Sequence, residues 1–157
     1  MGDDSLDIAS ISALVAAIGV ITGVLFAIVE IRHLSRTRQT EIILRSYYLY
    51  GSKEFQEAWA KVMTGKSDDF NDYNRSRSAA IQVGMLFESV GILVYRKVVN
   101  IDLAYDLFSD LVKIAWGKLK EFVDVARKQT DDPEIFRWFE YIYGEVQKKE
   151  QKLRAGQ

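Results

Sequence analysis

One uninterrupted apolar run near the N-terminus constrains this chain more than any other feature. Residues 8–29 are 22 positions without a charged residue, Pro, Asn or Gln. A helix of that length rises about 33 Å, close to the thickness of a bilayer's hydrocarbon core. In a cleaved signal peptide the apolar stretch follows a basic segment, whereas this run follows the acidic MGDDSLD. We therefore predict an extracytoplasmic acidic N-terminus at 1–7 and a transmembrane helix over 8–29, in preference to a fully enclosed core helix.

The charges on either side of the run predict its orientation. Aspartates precede it, and a juxtamembrane basic cluster of Arg32, Arg36 and Arg38 follows it. Positive charge within about 15–20 residues of a span marks the cytoplasmic side. The sequence thus predicts a single-pass protein of the cell membrane, with its N-terminus outside and its C-terminus in the cytoplasm. The polar, basic segment 30–41 is typical of a solvated helical stalk.

Small residues line one face of the predicted span. On a helical wheel at about 100° per residue, Ser12, Ala16, Gly19, Gly23 and Ala27 fall on one stripe, opposite large aliphatic side chains. Small residues four positions apart let two helix backbones approach closely in a membrane. We predict that this face is an oligomerisation surface, and that the chain is a homo-oligomer in contact with membrane lipid.

Glu30 continues the same stripe at the cytoplasmic end of the apolar run. One interpretation is an interfacial carboxylate paired with a neighbouring arginine or with His33. The other is a ring of carboxylates at the mouth of an oligomeric, cation-conducting pore. The polar lining that such a pore needs is thin, since Ser12 and Thr22 supply most of it.

The rest of the chain has helical signals and no alternating strand pattern. The first helix is predicted to continue to Gly51, and a short helix capped by Ser52 follows it. A solvated loop is predicted over 64–72 and a helix over 73–98. Asn100 is predicted to cap a helix over 101–129, and Asp132-Pro133-Glu134 to start the last helix. The predicted fold is therefore all-α, with one N-terminal transmembrane helix continuing into a small cytoplasmic bundle over 42–148. A charged tail is predicted over 149–157.

The segment 79–95 is the second apolar stretch of the chain. It is 17 residues long and contains Gln82 and Glu88. A carboxylate at the centre of a span costs about 2.5–3.5 kcal/mol on the insertion scale. We therefore prefer a central bundle helix to a second span, and the second span stays open as the alternative.

Glu88 is a candidate buried carboxylate. It shares one helix face with Gly84 and Gly91, where the glycines predict close packing against a neighbouring helix. A buried carboxylate needs a partner or a raised pKa. The candidate partners are Arg45, Lys113 and Arg137, and the sequence does not choose among them.

Composition excludes several classes of function. The chain has no Cys and one His, which leaves no thiolate metal site, no Cys nucleophile and no multi-histidine site within one chain. A net charge of −1 gives no electrostatic reason to expect nucleic acid. We predict no catalytic residues, no metal site, no cofactor and no nucleic-acid partner, and we predict that the protein is not an enzyme.

The order of the segments resembles a known family. A span with an acidic front is followed by HLSRTRQTE, KEFQEAWAKV, LFESVGILVYRKVV, AYDLF and FRWFEYIYGE. Over about residues 8–148, this order is similar to the prokaryotic membrane-anchored proteins grouped as domain of unknown function 4760. The resemblance implies a membrane anchor with a helical cytoplasmic domain in bacteria or archaea. It implies no reaction and no catalytic residues.

Two functions follow from these patterns. The first is a single-pass membrane-anchored helical protein that self-associates through its transmembrane helix and serves as a cytoplasmic interaction or scaffold module for a protein partner. The alternative is a homo-oligomeric ion channel with one pore-lining helix per subunit and Glu30 near the cytoplasmic mouth. The aromatic segment 136–143 is expected to seal the bundle, or else to face lipid headgroups or a partner.

Overall fold

The computed structural model describes residues 4–70 and 75–156, and every regular element in those two ranges is helical. The elements are α1 Asp4–Tyr50, α2 Lys53–Thr64, a 3₁₀ turn at Ser67–Phe70, α3 Arg75–Tyr95, α4 Ile101–Thr130 and α5 Arg137–Ala155. The all-α prediction is therefore confirmed. The chain divides into two compact units, Met1–Arg38 and Gln39–Gln157.

The described residues of the first unit form a single stretch of helix, and none of their described side chains is buried. Its side chains from Ser10 to Arg32 are all exposed, and Phe26 is 75% exposed. α1 contains a window that is long and apolar enough to cross a membrane, and none of that window is buried. By length and composition, this helix is compatible with a membrane anchor or with a signal sequence.

The second unit is a helical bundle organised around α3, which packs against α2, α4 and α5. Phe87 of α3 lies at the centre, stacked on Phe139 of α5 with ring centroids 5.1 Å apart and edge-on to Phe108 of α4 at 6.4 Å. Aromatic pairs in these arrangements add to the stabilisation from burial itself. The largest fully buried side chains in the described residues are Phe70, Phe87, Phe108, Phe122, Phe139, Ile43, Leu119 and Ile142.

α3 is the second helix of the described chain that is long and apolar enough to span a membrane, over Ser76–Tyr95. Half of its most apolar window is buried inside the bundle, where Val83 and Val90 are fully enclosed. Burial by neighbouring helices supports the interpretation of α3 as a core helix.

Local capping signals place several helix ends where the sequence predicts them. Ser52 Oγ accepts the N–H of Phe55 at 3.2 Å, and Asn100 Oδ1 accepts the N–H of Asp102 at 2.9 Å. α1 ends at Tyr50, directly before Gly51. Ser and Asn are effective caps because their side chains bond N–H groups that lack an intrahelical partner.

The solvated loop predicted over 64–72 is wrong in its centre. Residues Ser67–Phe70 form a 3₁₀ turn, and Phe70 is fully buried, edge-on to Phe122 with ring centroids 6.5 Å apart. The acidic neighbours of Phe70 suggest a solvated segment, but burying a phenylalanine ring is favourable enough to fold the segment back. Residues 71 and 72 lie outside the described part of the chain.

The predicted start of the last helix is also wrong. Asp132 does cap a turn, since its Oδ1 accepts the N–H of Glu134 at 2.9 Å, but α5 begins only at Arg137. Between them, Phe136 adopts a left-handed backbone conformation with φ 53°. The ring of Phe136 lies 6.4 Å from that of Phe122, so a tertiary contact overrides the local start signal.

The charged residues predicted as a tail over 149–157 continue α5 as far as Ala155. Two of them bond to α4: Lys149 Nζ lies 2.7 Å from Asp102 Oδ1, and Glu150 Oε2 lies 3.4 Å from Lys113 Nζ. These ion pairs dock the segment on α4, so its charge does not separate it from the bundle.

Candidate functional site

The small-residue face predicted for self-association lies open on α1. Ser12, Ala16, Gly19, Gly23 and Ala27 are all exposed. A Cβ atom added at Gly19 or at Gly23 would have no neighbouring atom within 4 Å. The glycines therefore leave a shallow surface on which another helix backbone has room to pack.

The predicted basic cluster follows on the same helix. Glu30, Arg32 and Arg38 are exposed. The side chains of Arg36 and His33 lie outside the described residues. An exposed carboxylate beside exposed guanidinium groups suits a solvated interface, and the pore alternative for Glu30 stays a prediction.

Glu88 occupies a more specific environment. Its Oε2 accepts the backbone N–H of Phe139, in the first turn of α5, at 2.8 Å. The first N–H groups of a helix have no intrahelical partner, and the N-terminus carries partial positive charge. Phe136, at the N-cap position of α5, supplies no side-chain cap. Glu88 thus caps α5 from a different helix.

The electrostatics of Glu88 follow from this position. Burial raises the pKa of Glu88 above its ordinary value, because the carboxylate loses water. The N–H groups of Phe139 and Trp138, and the charges of Arg137 and Arg127, oppose that effect without cancelling it. The group is therefore held by helix-end dipoles more than by one ion-pair partner.

The basic residues predicted as partners of Glu88 form their ion pairs with other carboxylates. Arg45 lies 3.5 Å from Glu41, and Lys113 bonds Asp110 and Glu150, so neither is the partner of Glu88. Arg137 is near enough to favour the charged form of Glu88, although its own ion pair is with Glu134. The main partner, a backbone N–H group, was missed because side-chain complementarity does not reveal helix ends.

The two glycines beside Glu88 bring α5 into contact with α3. A Cβ atom on Gly91 would overlap the carbonyl group of Trp138, and one on Gly84 would lie 2.7 Å from the ring of Phe136. Such spacing leaves no room for a side chain at Gly91. The close approach is what allows the Glu88 carboxylate to reach the backbone of α5.

Arg127 completes this junction and was also missed from the sequence. Its Nε donates to the carbonyl oxygen of Ile135 at 2.9 Å, and its Nη1 lies 2.8 Å from Glu140 Oε2. Its Nη2 is buried without a hydrogen-bond partner among the described residues. One guanidinium group thereby joins the end of α4, the connecting turn and α5. The signal available in the sequence was a basic residue in the last turn of α4.

Glu88 and Arg127 therefore form a structural junction. Glu88 Oε2 is held by the first turn of α5, and Arg127 joins the end of α4 to the same helix. Within the two described ranges, no group of three or more His, Cys, Asp or Glu side chains is placed to hold a metal ion.

The comparisons with known proteins give one match. The family described as Domain of unknown function (DUF4760) matches residues 15–146, which include most of α1 and all of α2, α3 and α4. No curated protein and no solved structure matches the chain. The match covers well over half of the 157 residues. The chain therefore belongs to the family of domain of unknown function 4760.

Proposed function

We propose that this protein is a single-pass, membrane-anchored helical protein whose bundle is tethered at the cytoplasmic surface. The observation that supports this most is the exposure of every side chain from Ser10 to Val29 on an uncharged stretch of α1. Soluble proteins rarely expose a contiguous apolar surface of this extent. A bilayer covers it, and the one hydroxyl near its centre is satisfied, because Thr22 Oγ1 donates to the carbonyl oxygen of Ile18 at 2.8 Å.

The charge distribution supports an orientation for the anchor. Asp3, Asp4 and Asp7 come before the apolar run, and the exposed Arg32 and Arg38 come after it. Arginines placed directly after a span stay on the cytoplasmic side during insertion. The bundle is then cytoplasmic, and the N-terminus is outside.

We also propose that copies of the protein associate through α1. The open surface at Gly19 and Gly23 supports it, since a second copy of the helix can pack there at short distance. Association in the membrane would present two or more bundles side by side. That arrangement suits a scaffold for a cytoplasmic protein partner.

An apolar groove on the bundle supports the interaction role. The groove lies among the end of α1, α2 and α3, and its lining includes Leu49, Phe55 and Met85. Leu49 is 60% exposed and Met85 is 54% exposed. Exposed apolar side chains that line a groove are typical of a protein-binding surface.

Flotation with liposomes tests the anchor. The full chain is expected to float with lipid and to stay with it after extraction in alkaline carbonate. The double variant Ile21→Lys/Val24→Lys should lose this behaviour, because two charges at the centre of the run oppose insertion. The matched variant Ile114→Lys, at an exposed position of α4, should float normally. Extraction of the full chain into the aqueous fraction would contradict the anchor.

A subunit count by single-molecule photobleaching in nanodiscs tests self-association. We expect dimers or higher oligomers that dissociate in Gly19→Leu and in Gly23→Leu. Ala17→Leu is the matched control, because Ala17 lies about 140° around the helix from Ser12, and it should stay oligomeric. A monomeric wild-type chain would contradict self-association. Five or more subunits would favour the channel, to be tested by bilayer recordings of Glu30→Gln.

A further inference from the structure

The connection between α3 and α4 forms a tightly closed turn. α3 ends at Tyr95, and Lys97 adopts a left-handed conformation with φ 58°. The N–H groups of Val98 and Val99 both bond to the carbonyl oxygen of Leu93, at 2.9 and 3.1 Å. Val99 is buried, which leaves the preceding three side chains on the outside. We call residues 95–98 the basic turn.

The side chains of the basic turn combine cations with apolar surface. Arg96 and Lys97 are exposed, Tyr95 is 48% exposed and Val98 is 39% exposed. Surfaces that lie in a membrane interface typically combine cationic side chains with aromatic and aliphatic ones.

The partly buried rings of Trp138 and Tyr141 on α5 adjoin Tyr95 at the edge of this surface. The Tyr95 ring centroid lies 4.2 Å from that of Trp138 and 5.5 Å from that of Tyr141. The Arg137 guanidinium carbon lies 4.2 Å from the Trp138 ring centroid. Tyr and Trp are enriched at membrane interfaces, because one end of each ring is apolar and the other end bonds water.

The charge around the basic turn is positive. The nearby acids are paired: Glu145 lies 2.8 Å from Lys148, and Asp102 lies 2.7 Å from Lys149. Arg96 and Lys97 form no ion pair with a residue in the described part of the chain; Arg96 only lies over the Tyr95 ring, at 6.0 Å. Their charges are therefore available to an anionic surface.

The basic turn lies close to Gln39, the residue at which the chain enters the bundle. Gln39, the first residue of the second unit, lines a cavity of about 320 Å³ together with Lys97, Asn100 and Tyr141. Nine residues, 30–38, separate Gln39 from the end of the run. Nine residues reach at most about 30 Å when fully extended. The basic turn is thus at the end of the bundle that the tether joins.

We propose that the basic turn and the Tyr95–Trp138–Tyr141 cluster form a second membrane contact, which seats the bundle on anionic phospholipid headgroups. The proposal rests on the membrane anchor proposed above. The anchor keeps the turn at high local concentration near the bilayer, so a weak contact is sufficient to hold it. Arg96 and Lys97 supply the attraction, and it acts within about 8–10 Å at physiological salt.

A fluorescent label tests the contact on the full chain. Because the chain has no Cys, Val98→Cys gives a single attachment point for an environment-sensitive dye. Reconstituted into phosphatidylcholine vesicles containing phosphatidylserine, the dye should shift to the blue. In pure phosphatidylcholine vesicles the dye should keep the emission of a water-exposed probe. In the vesicles with phosphatidylserine, high salt should reverse the blue shift. Lys128→Cys is the control, because it lies about 40 Å further along α4 than Ile101, and its dye should report water in every vesicle.

A charge variant and flotation of the same samples separate the outcomes. On the Val98→Cys background, Arg96→Gln/Lys97→Gln should abolish the shift, whereas Lys118→Gln/Lys128→Gln, which removes the same charge elsewhere, should preserve it. Chains that float without a dye shift would overturn the contact and leave the anchor intact. A shift that is equal in both vesicle types would overturn the anionic-headgroup assignment. Chains that do not float would overturn the anchor and the contact together.

Discussion

The carboxylate of Glu88 on α3 caps the backbone of Phe139 on α5, with 2.8 Å between Oε2 and N. The two residues are 51 positions apart, so the start of the last helix depends on a side chain from the centre of the bundle. Gly91 makes this possible by leaving the backbone of α5 free to approach α3. Packing and capping at this junction are therefore one feature of the fold.

Replacing Glu88 by alanine should destabilise the bundle by about 1–2 kcal/mol, because N–H groups at the start of α5 lose their acceptor. Denaturant unfolding of the full chain in detergent measures the loss. Faster hydrogen exchange at residues 138 and 139 should localise it to α5. The variant Glu121→Ala, at an exposed position of α4, should stay within about 0.5 kcal/mol of wild type. Equal effects of the two variants would contradict the capping role.

Stability should depend on pH through Glu88. Burial raises the pKa of Glu88 in the folded chain above its ordinary value of 4.5, so the folded chain holds this proton more tightly than the unfolded chain does. The resulting stabilisation is fully present below about pH 4.5 and is lost as pH rises through the raised pKa. The free energy of unfolding of wild type relative to Glu88→Gln should therefore decrease as pH rises from below 4.5 through the raised pKa. A difference that is constant or increases with pH would show that the pKa is not raised.

A methyl group at Gly91 should cost about 1–3 kcal/mol in unfolding free energy. The added Cβ would overlap the carbonyl group of Trp138, which is backbone and has little freedom to move. Gly84→Ala should cost less, because the ring of Phe136 can turn aside. The control is Gly117→Ala on α4, where nothing lies within 4 Å, and it should stabilise by up to about 1 kcal/mol. Thermal unfolding by circular dichroism ranks the three variants, and a neutral Gly91→Ala would contradict the close α3–α5 approach.

Arg127→Ala should destabilise by about 2–3 kcal/mol, since two charge-assisted hydrogen bonds to Ile135 and Glu140 are lost. Arg127→Lys should recover only part of this, because one ammonium group does not match the guanidinium geometry. Lys128→Ala, exposed in the same helical turn, is the control and should be near neutral. Urea midpoints measure all three. Full recovery by lysine would reduce the role of Arg127 to that of a simple charge.

Local signals in the sequence predicted the elements of this fold well. The caps at Ser52 and Asn100 were predicted because each depends on a side chain bonding N–H groups two or three residues away. The close packing at Gly84 and Gly91 was predicted from their shared face. In each case the cause lies within one helix or on one helix face.

The errors occur where distant residues decide the structure. Asp132-Pro133 is a valid start signal, yet α5 begins at Arg137 because Arg127 bonds the carbonyl oxygen of Ile135 and Phe136 packs on Phe122. The acidic neighbours of Phe70 predicted a solvated loop, but its ring is buried against Phe122. The same limit applies to Glu88, whose partner is a helix end that no sequence spacing identifies.

The depth of α1 in a bilayer tests the central claim of membrane anchoring most directly. Single-cysteine variants at Ile11, Ile21 and Ile31, all exposed on α1, would carry a fluorophore quenched by lipids labelled at defined acyl-chain depths. We expect Ile21 to lie deepest, near the bilayer centre, and Ile11 and Ile31 to lie near opposite interfaces, since ten residues of helix rise about 15 Å. Equal, shallow depths at all three positions, or quenching at none of them, would contradict a membrane-spanning helix.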